Sequence, residues 1–209
     1  MKSIQLIKQV NNTELGKGGT HETYILIPQD LNVSDLFEEN NVKYSFVDKD
    51  SLKEYKIRLT SGREKRIVGL GPFYSDKNLS AGDKVLLEKR ILQDGRRNYY
   101  ISLQRSSNTV FFQKVRSYFE AMTTEIVNAV LDKDFSSDDN VSVKVEYYGE
   151  IQKRTDSPTK TKVYNILVGG NNIQSNYQDR DMIGLQYSDN KIKLIEAKPW
   201  EKYVVEVKE

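Results

Sequence analysis

The chain has 209 residues, 37% of them apolar and 30% charged, with a net charge of +2 and no cysteine. That length buries one good core or two small ones, and the lack of thiols excludes disulfide staples and cysteine-ligated metal. No apolar run approaches the roughly 20 residues of a membrane-spanning helix, and MKSIQLIKQV lacks the apolar stretch of a signal peptide, so no membrane partner and a cytoplasmic location are expected.

Charge is balanced overall but not along the chain. Residues 1–106 carry 18 basic and 14 acidic residues, against 14 and 16 in the remainder. The excess is mild, so clustering matters more than the total, because attraction to phosphate is local at physiological salt.

In chain order, Ile4 to Val10 reads as a strand. It is followed by the polar, glycine-rich NNTELGKGGTHE and a second strand, Thr23 to Ile27, ending at Pro28. Leu31 to Asn40 predicts a short helix with Asn32 or Ser34 as cap and Leu36 and Phe37 inward. Lys43 to Val47 and Tyr55 to Leu59 alternate as half-buried strands do. Ile67 to Leu70, Lys84 to Arg90 and Tyr99 to Gln104 follow, the last two joined at Asp94-Gly95. Between them, Ser80-Ala81-Gly82-Asp83 is a turn that launches a strand, with Gly82 free to take a positive φ. Many short strands with one or two short helices predict a small barrel or pseudobarrel.

Arg105 to Asn108 interrupts this pattern and marks a boundary. Beyond it, Val115, Phe119, Met122, Ile126 and Val130 recur at spacings of three and four, which predicts a helix over Val110 to Leu131 docked on a core. Asp132 to Asn140 reads as an acidic connector. Strands are expected again at Val141 to Tyr148, Lys162 to Val168, Met182 to Tyr187, Lys191 to Ala197 and Tyr203 to Val207, with polar loops at 152–161 and 169–180. The expected organisation is a domain over 1–106 and an accessory subdomain of helix plus antiparallel sheet over 107–209.

The loop SGREKR, Ser61 to Arg66, stands out chemically. With Lys56 and Arg58 before it, five bases face the single acid Glu64. A rigid strand pair projecting a cationic loop suits phosphate binding and access to base edges.

Three features occur in one order and spacing. The stretch Gly16-Lys17-Gly18-Gly19-Thr20-His21 leads into a strand ending Ile27-Pro28. The predicted helix Asp30 to Phe37 follows, and then the run Phe73-Tyr74-Ser75-Asp76-Lys77-Asn78-Leu79-Ser80-Ala81-Gly82-Asp83-Lys84-Val85-Leu86. In these features residues 5 to about 105 resemble a B3-type DNA-binding pseudobarrel, found in plant transcription factors and in recognition domains of restriction endonucleases of the EcoRII and BfiI type. The resemblance covers about half the chain. It implies an α+β, mostly β fold, a B3-like seven-stranded pseudobarrel, followed here by a helix and an antiparallel β subdomain.

The resemblance also implies a major-groove grip between two loops, an N-arm at about Asn12 to Thr23 and a C-arm at Thr60 to Gly69. The residues carried over as DNA-binding are Lys17, Thr20, His21 and Glu22 in the N-arm and Ser61, Arg63, Lys65 and Arg66 in the C-arm. Arg63 and Arg66 can make the bidentate guanine contact, Glu22 can accept from cytosine N4, and the amides of Gly18, Gly19 and Gly62 can approach phosphate. Each also has a plainer reading, as solvated loop residues. The pairs Tyr99-Tyr100 and Tyr147-Tyr148 read as packing. With one histidine, no cysteine and no Gly-x-Ser-x-Gly, neither a metal site at His21 nor a nucleophilic triad is expected.

A competing motif lies in the second half. Asp181, a strand, the turn Asp189-Asn190, then Glu196-Ala197-Lys198 is similar to a PD-(D/E)xK nuclease hairpin, with Asp181 and Glu196 holding Mg²⁺ and Lys198 acting on water. Glu120 or Glu125 would complete the site. Against it, Arg180 replaces the proline, Glu-x-Lys recurs at Glu206-Val207-Lys208, and only eleven residues follow Lys198.

The leading expectation is a site-specific double-stranded DNA recognition module of a restriction system, similar to the N-terminal region of an LlaJI-type, McrB-like subunit. In that reading a separate nuclease subunit cuts and this chain needs no cofactor, in keeping with the absence of Gly-x-x-x-x-Gly-Lys-Ser/Thr. The alternatives are the Mg²⁺-dependent endonuclease and a protein-interaction domain built on the second-half sheet.

Overall fold

In the computed structural model, residues 1–17, 22–152, 158, 160–178 and 181–206 are described. The chain divides into two compact units, one of Met1–Arg105 with Pro199–Glu209, the other of Ser106–Lys198.

The first unit contains strands Lys2–Gln9 (β1), Tyr24–Ile27 (β2), Tyr44–Asp48 (β3), Glu54–Leu59 (β4) and Lys65–Val68 (β5), a helix Gly71–Asp76 (α1), and strands Lys84–Ile91 (β6) and Arg97–Gln104 (β7). Alternation sets the inward face. Tyr55, Ile57 and Leu59 of β4 are buried while Glu54 and Lys56 are exposed. The strands run in the order β1-β6-β7-β3-β4-β5-β2, antiparallel except for β3 beside β7. This curled strip of seven strands is the B3-like pseudobarrel expected. Its core includes Ile4, Leu6, Phe37, Phe46, Ile67, Phe73 and Leu87.

The helix expected over Leu31 to Asn40 does not form. A single turn is present, with the amides of Leu36 and Phe37 donating to the Val33 carbonyl at 3.1 and 2.9 Å. Continuing the helix would pair the Glu39 amide with the Asp35 carbonyl. That carbonyl instead accepts from buried Lys89 Nζ (2.9 Å), and the Glu39 amide donates to Tyr44 Oη (2.9 Å). Asn32 still accepts the Ser34 amide at 2.9 Å, and Leu36 and Phe37 are core residues.

The second unit comprises Thr109–Val115 (β8), Tyr118–Ala121 (β9), Asp134–Ser136 (β10), Ser142–Gln152 (β11), Lys160–Val168 (β12), Asn171–Asn172 (β13), Met182–Ser188 (β14) and Lys191–Ala197 (β15). Its strands follow the order β11-β10-β15-β14-β8-β9-β12-β13, and β11 also pairs with β12, so the strip closes on itself. Val110, Phe112, Phe119, Val143, Val145, Ile166, Ile183 and Leu185 fill the interior.

The long helix expected over Val110 to Leu131 is therefore a correction. That segment is the β8–β9 hairpin followed by a 3₁₀ turn at Val127–Ala129. Arg116 takes φ 56° in the connecting turn, the Met122 amide donates to the Phe111 carbonyl (2.7 Å), and the Phe111 amide donates to Thr123 Oγ1 (2.9 Å). The run Val110-Phe111-Phe112 is buried at all three residues, with β14 on its other edge, as β-branched and aromatic residues favour. Part of the expected acidic connector becomes β10.

The final strand, Trp200–Glu206 (β16), belongs to the first unit, where it pairs antiparallel with β1 over Lys2↔Glu206 to Lys8↔Trp200.

Candidate nucleic-acid interface

The C-arm is the β4–β5 hairpin. Its base is pinned: the Thr60 amide donates to the Arg66 carbonyl (2.8 Å), and Thr60 Oγ1 accepts the Arg66 amide (3.1 Å). Asn41 braces it from outside, donating through its backbone amide to the Leu59 carbonyl (2.7 Å) and through Nδ2 to Ser61 Oγ (2.7 Å). At the far end of β5, Gly69 has φ +92°, and a Cβ there would lie 2.3 Å from the Lys56 carbonyl oxygen. Only glycine lets β5 leave the sheet this close to β4. Between these anchors Ser61, Gly62, Arg63, Glu64 and Lys65 are exposed.

The N-arm is fixed at its root. Asn11 and Glu14 cap each other, the Glu14 amide donating to Asn11 Oδ1 (2.9 Å) and the Asn11 amide to Glu14 Oε2 (3.2 Å). Glu14 is buried beside Lys8 at 3.2 Å, and the Lys8 ammonium lies 5.1 Å from the Trp200 ring centre. Burial pushes the Glu14 carboxyl up and the Lys8 ammonium down, with their mutual attraction opposing both. The Gly82-Asp83 turn grips the same root, with Gly82 at φ 92°: the Gly82 amide donates to the Val10 carbonyl (2.8 Å), and the Val10 amide to the Asp83 carbonyl (2.9 Å). Arg105 holds the turn in place through Asp83 Oδ2 (2.9 Å). On its return the arm is tied by the Leu15↔Thr23 bridge.

The two arms meet at Arg66. β2 lies against β5 in the register Tyr24↔Val68 and Leu26↔Arg66, and with Ile25, Ile27 and Ile67 inward, Tyr24, Leu26, Arg66 and Val68 share the outward face. The Arg66 guanidinium stacks 4.3 Å from the Tyr24 ring centre. It reaches Glu22 of the N-arm at 3.7 Å and Glu64 of the C-arm at 2.8 Å. Both acids face solvent, so Arg66 is oriented rather than sequestered. Arg63 and Lys65 are exposed and make no ion pair with another described residue. Arg58, opposite Val68, extends the cationic strip onto β4.

Of the sequence-predicted site residues, Glu22 thus falls on the N-arm and Ser61, Arg63, Lys65 and Arg66 on the C-arm, with Arg66 on the outward face of β5 and exposed Lys65, in register with Ile27, on the other. Lys17 is exposed on the N-arm, while Thr20, His21, Gly18 and Gly19 lie outside the described residues. Sequence reasoning missed Lys8, Glu14, Asn41, Tyr24 and Leu26. Alternation from Ile25 and Ile27 signalled that Tyr24 and Leu26 face outward; nothing local signalled the Lys8–Glu14 pair.

The residues of the competing Mg²⁺ motif lie on the β14–β15 hairpin. Ile183 pairs with Glu196 and Met182 with Ala197, which puts Asp181, Glu196 and Lys198 at the open end of the β14–β15 hairpin. Asp181 caps its own turn, accepting the Gln178 amide at 2.7 Å, and Glu120 accepts from Thr161 Oγ1 at 2.6 Å. Among the described residues no three histidine, aspartate or glutamate side chains converge as metal ligands.

Among the described residues no helix is long and apolar enough to cross a membrane. No family model and no curated protein matches this chain. Similar solved structures include an Arabidopsis FUS3–DNA complex, at 17% identity over 48% of this chain and 96% of that one, with a TM-score of 0.35. The N-terminal domain of Helicobacter pylori LlaJI.R1 is similar at 14% identity over 51% and 83%, with a TM-score of 0.35. The B3 domain of the UbaLAI restriction endonuclease with cognate DNA is similar at 17% identity over 51% and 70%, with a TM-score of 0.32.

Proposed function

We propose that the first unit binds double-stranded DNA site-specifically, gripping the major groove between the N-arm and the C-arm. The observation that carries this reading is the contact of Arg66 with both Glu22 and Glu64, which brings two arms remote in sequence together at a face that Arg58 shares, with exposed Arg63 and Lys65 in the same hairpin. A strand-mounted guanidinium with a fixed orientation suits the bidentate contact to guanine O6 and N7, and the flanking bases suit phosphate. Lys17, Thr20, His21, Glu22 and Ser61 complete the proposed reading set. The wider assignment, a target-recognition module of a cytoplasmic restriction system working with a separate nuclease subunit, follows the sequence resemblance.

The test is a duplex mobility shift without metal across a salt series. The chain should retard DNA with an affinity that falls steeply with salt. Replacing Arg63→Glu and Arg66→Glu together should abolish the shift. Metal-independent affinity that does not vary with salt, or survival of the shift in the double variant, would sink the reading.

A further inference from the structure

The outward face of β2 and β5 carries a side chain that phosphate binding does not call for. Leu26 is 41% exposed and sits directly opposite Arg66 in the ladder, on a face it shares with Tyr24 and Val68. Directly opposed residues hold their Cβ atoms about 5 Å apart, close enough for the two side chains to address adjacent base pairs stacked about 3.4 Å apart. Arg66 is oriented by Tyr24 stacked beneath it and by Glu22 and Glu64 on its flanks. The leucine is held on the same outward face, since Ile25 and Ile27 on either side are buried.

We infer that Leu26 and Arg66 act as a pair that reads a guanine next to a 5-methylpyrimidine. The guanidinium takes guanine O6 and N7, and the leucine side chain covers the C5 methyl group of the neighbouring pyrimidine. In the major groove that methyl is the one apolar feature a base pair presents. Thymine and 5-methylcytosine carry the same methyl at the same position, so both are ligands of this chemistry. The inference rests on the proposed DNA binding and adds the identity of a base step to it.

The experiment uses the whole chain. A randomised duplex pool, one half with cytosines methylated at C5, is selected for binding. In the winning site each thymine is then replaced by deoxyuridine and each 5-methylcytosine by cytosine, one at a time. One position next to a guanine should lose roughly fourfold in affinity on losing its methyl, the worth of one buried methylene-sized group. In Leu26→Ala, a surface substitution, that ratio should fall to about one while salt-dependent binding persists. Loss at a thymine names thymine as the ligand, and loss confined to methylated duplexes names 5-methylcytosine. Absence of any methyl effect beside a guanine, or its persistence in Leu26→Ala, overturns the inference but leaves DNA binding standing. Failure of the chain to bind any duplex with salt dependence overturns both.

Discussion

The Lys8 ammonium and the Glu14 carboxylate meet at 3.2 Å with both side chains shut away from water, beneath the root of the N-arm. The pair joins β1 to the arm, and Trp200 of β16 covers the lysine. Breaking such a pair from one side leaves a buried charge alone, whereas removing both charges together is cheap. Glu14→Ala should therefore destabilise the first unit by about 3–5 kcal/mol, and Lys8→Met with Glu14→Leu should recover most of the loss. Chemical denaturation of the three proteins decides it. Equal cost in the single and double variants would show that the pair does not anchor the arm.

Acid should weaken the first unit through Glu88. Burial would raise this carboxyl, but Arg90, Lys49 and Ser3 overcome it and hold it at about 2, against an ordinary value of 4.5. A depressed carboxyl contributes stability above its unfolded value, and that contribution drains away as pH falls from about 4.5 towards 2. The contribution is on the order of 3 kcal/mol. Glu88→Gln should be less stable at neutral pH and show a flatter stability profile across that acid window. Parallel profiles for the two proteins would contradict the assignment.

Gly69→Ala should cost at least about 2 kcal/mol, since it combines a positive φ with a clash against the β4 backbone. The thermal midpoint reports the loss, and DNA affinity should fall with it because the C-arm is seated on this crossing. A midpoint shift of less than about 1 °C would mean that the crossing relaxes freely.

Arg63→Ala and Lys65→Ala should each lower the slope of log affinity against log salt by about 0.9. Arg96→Ala should leave the slope unchanged. Arg96 lies in the β6–β7 turn, at the end of the β1 ladder away from the N-arm, where it is paired with Asp94 at 2.6 Å. Equal slopes for all of these proteins would place the DNA elsewhere.

The sequence by itself determined the strands whose partners are near or whose alternation is clean. β4, β6 and β7 with their turn at Asp94-Gly95, and the Gly82-Asp83 launch of β6, all follow from period-two burial and turn chemistry acting over a few residues. It also determined that the C-arm is cationic. What it misread was decided at long range. Val110 to Leu131 satisfies a helical spacing, but its backbone is claimed by β14, some seventy residues later in the chain. The turn after Leu31 was stopped by Lys89 and Tyr44, which take the carbonyl and amide that a helix would have joined. The orientation of Arg66 towards Glu22, the facing of Leu26 and the burial of Lys8 against Glu14 are likewise tertiary. Side-chain chemistry is local and survives in a string of letters. Which groups become neighbours depends on the burial of apolar surface from the whole unit, and only the folded chain contains that sum.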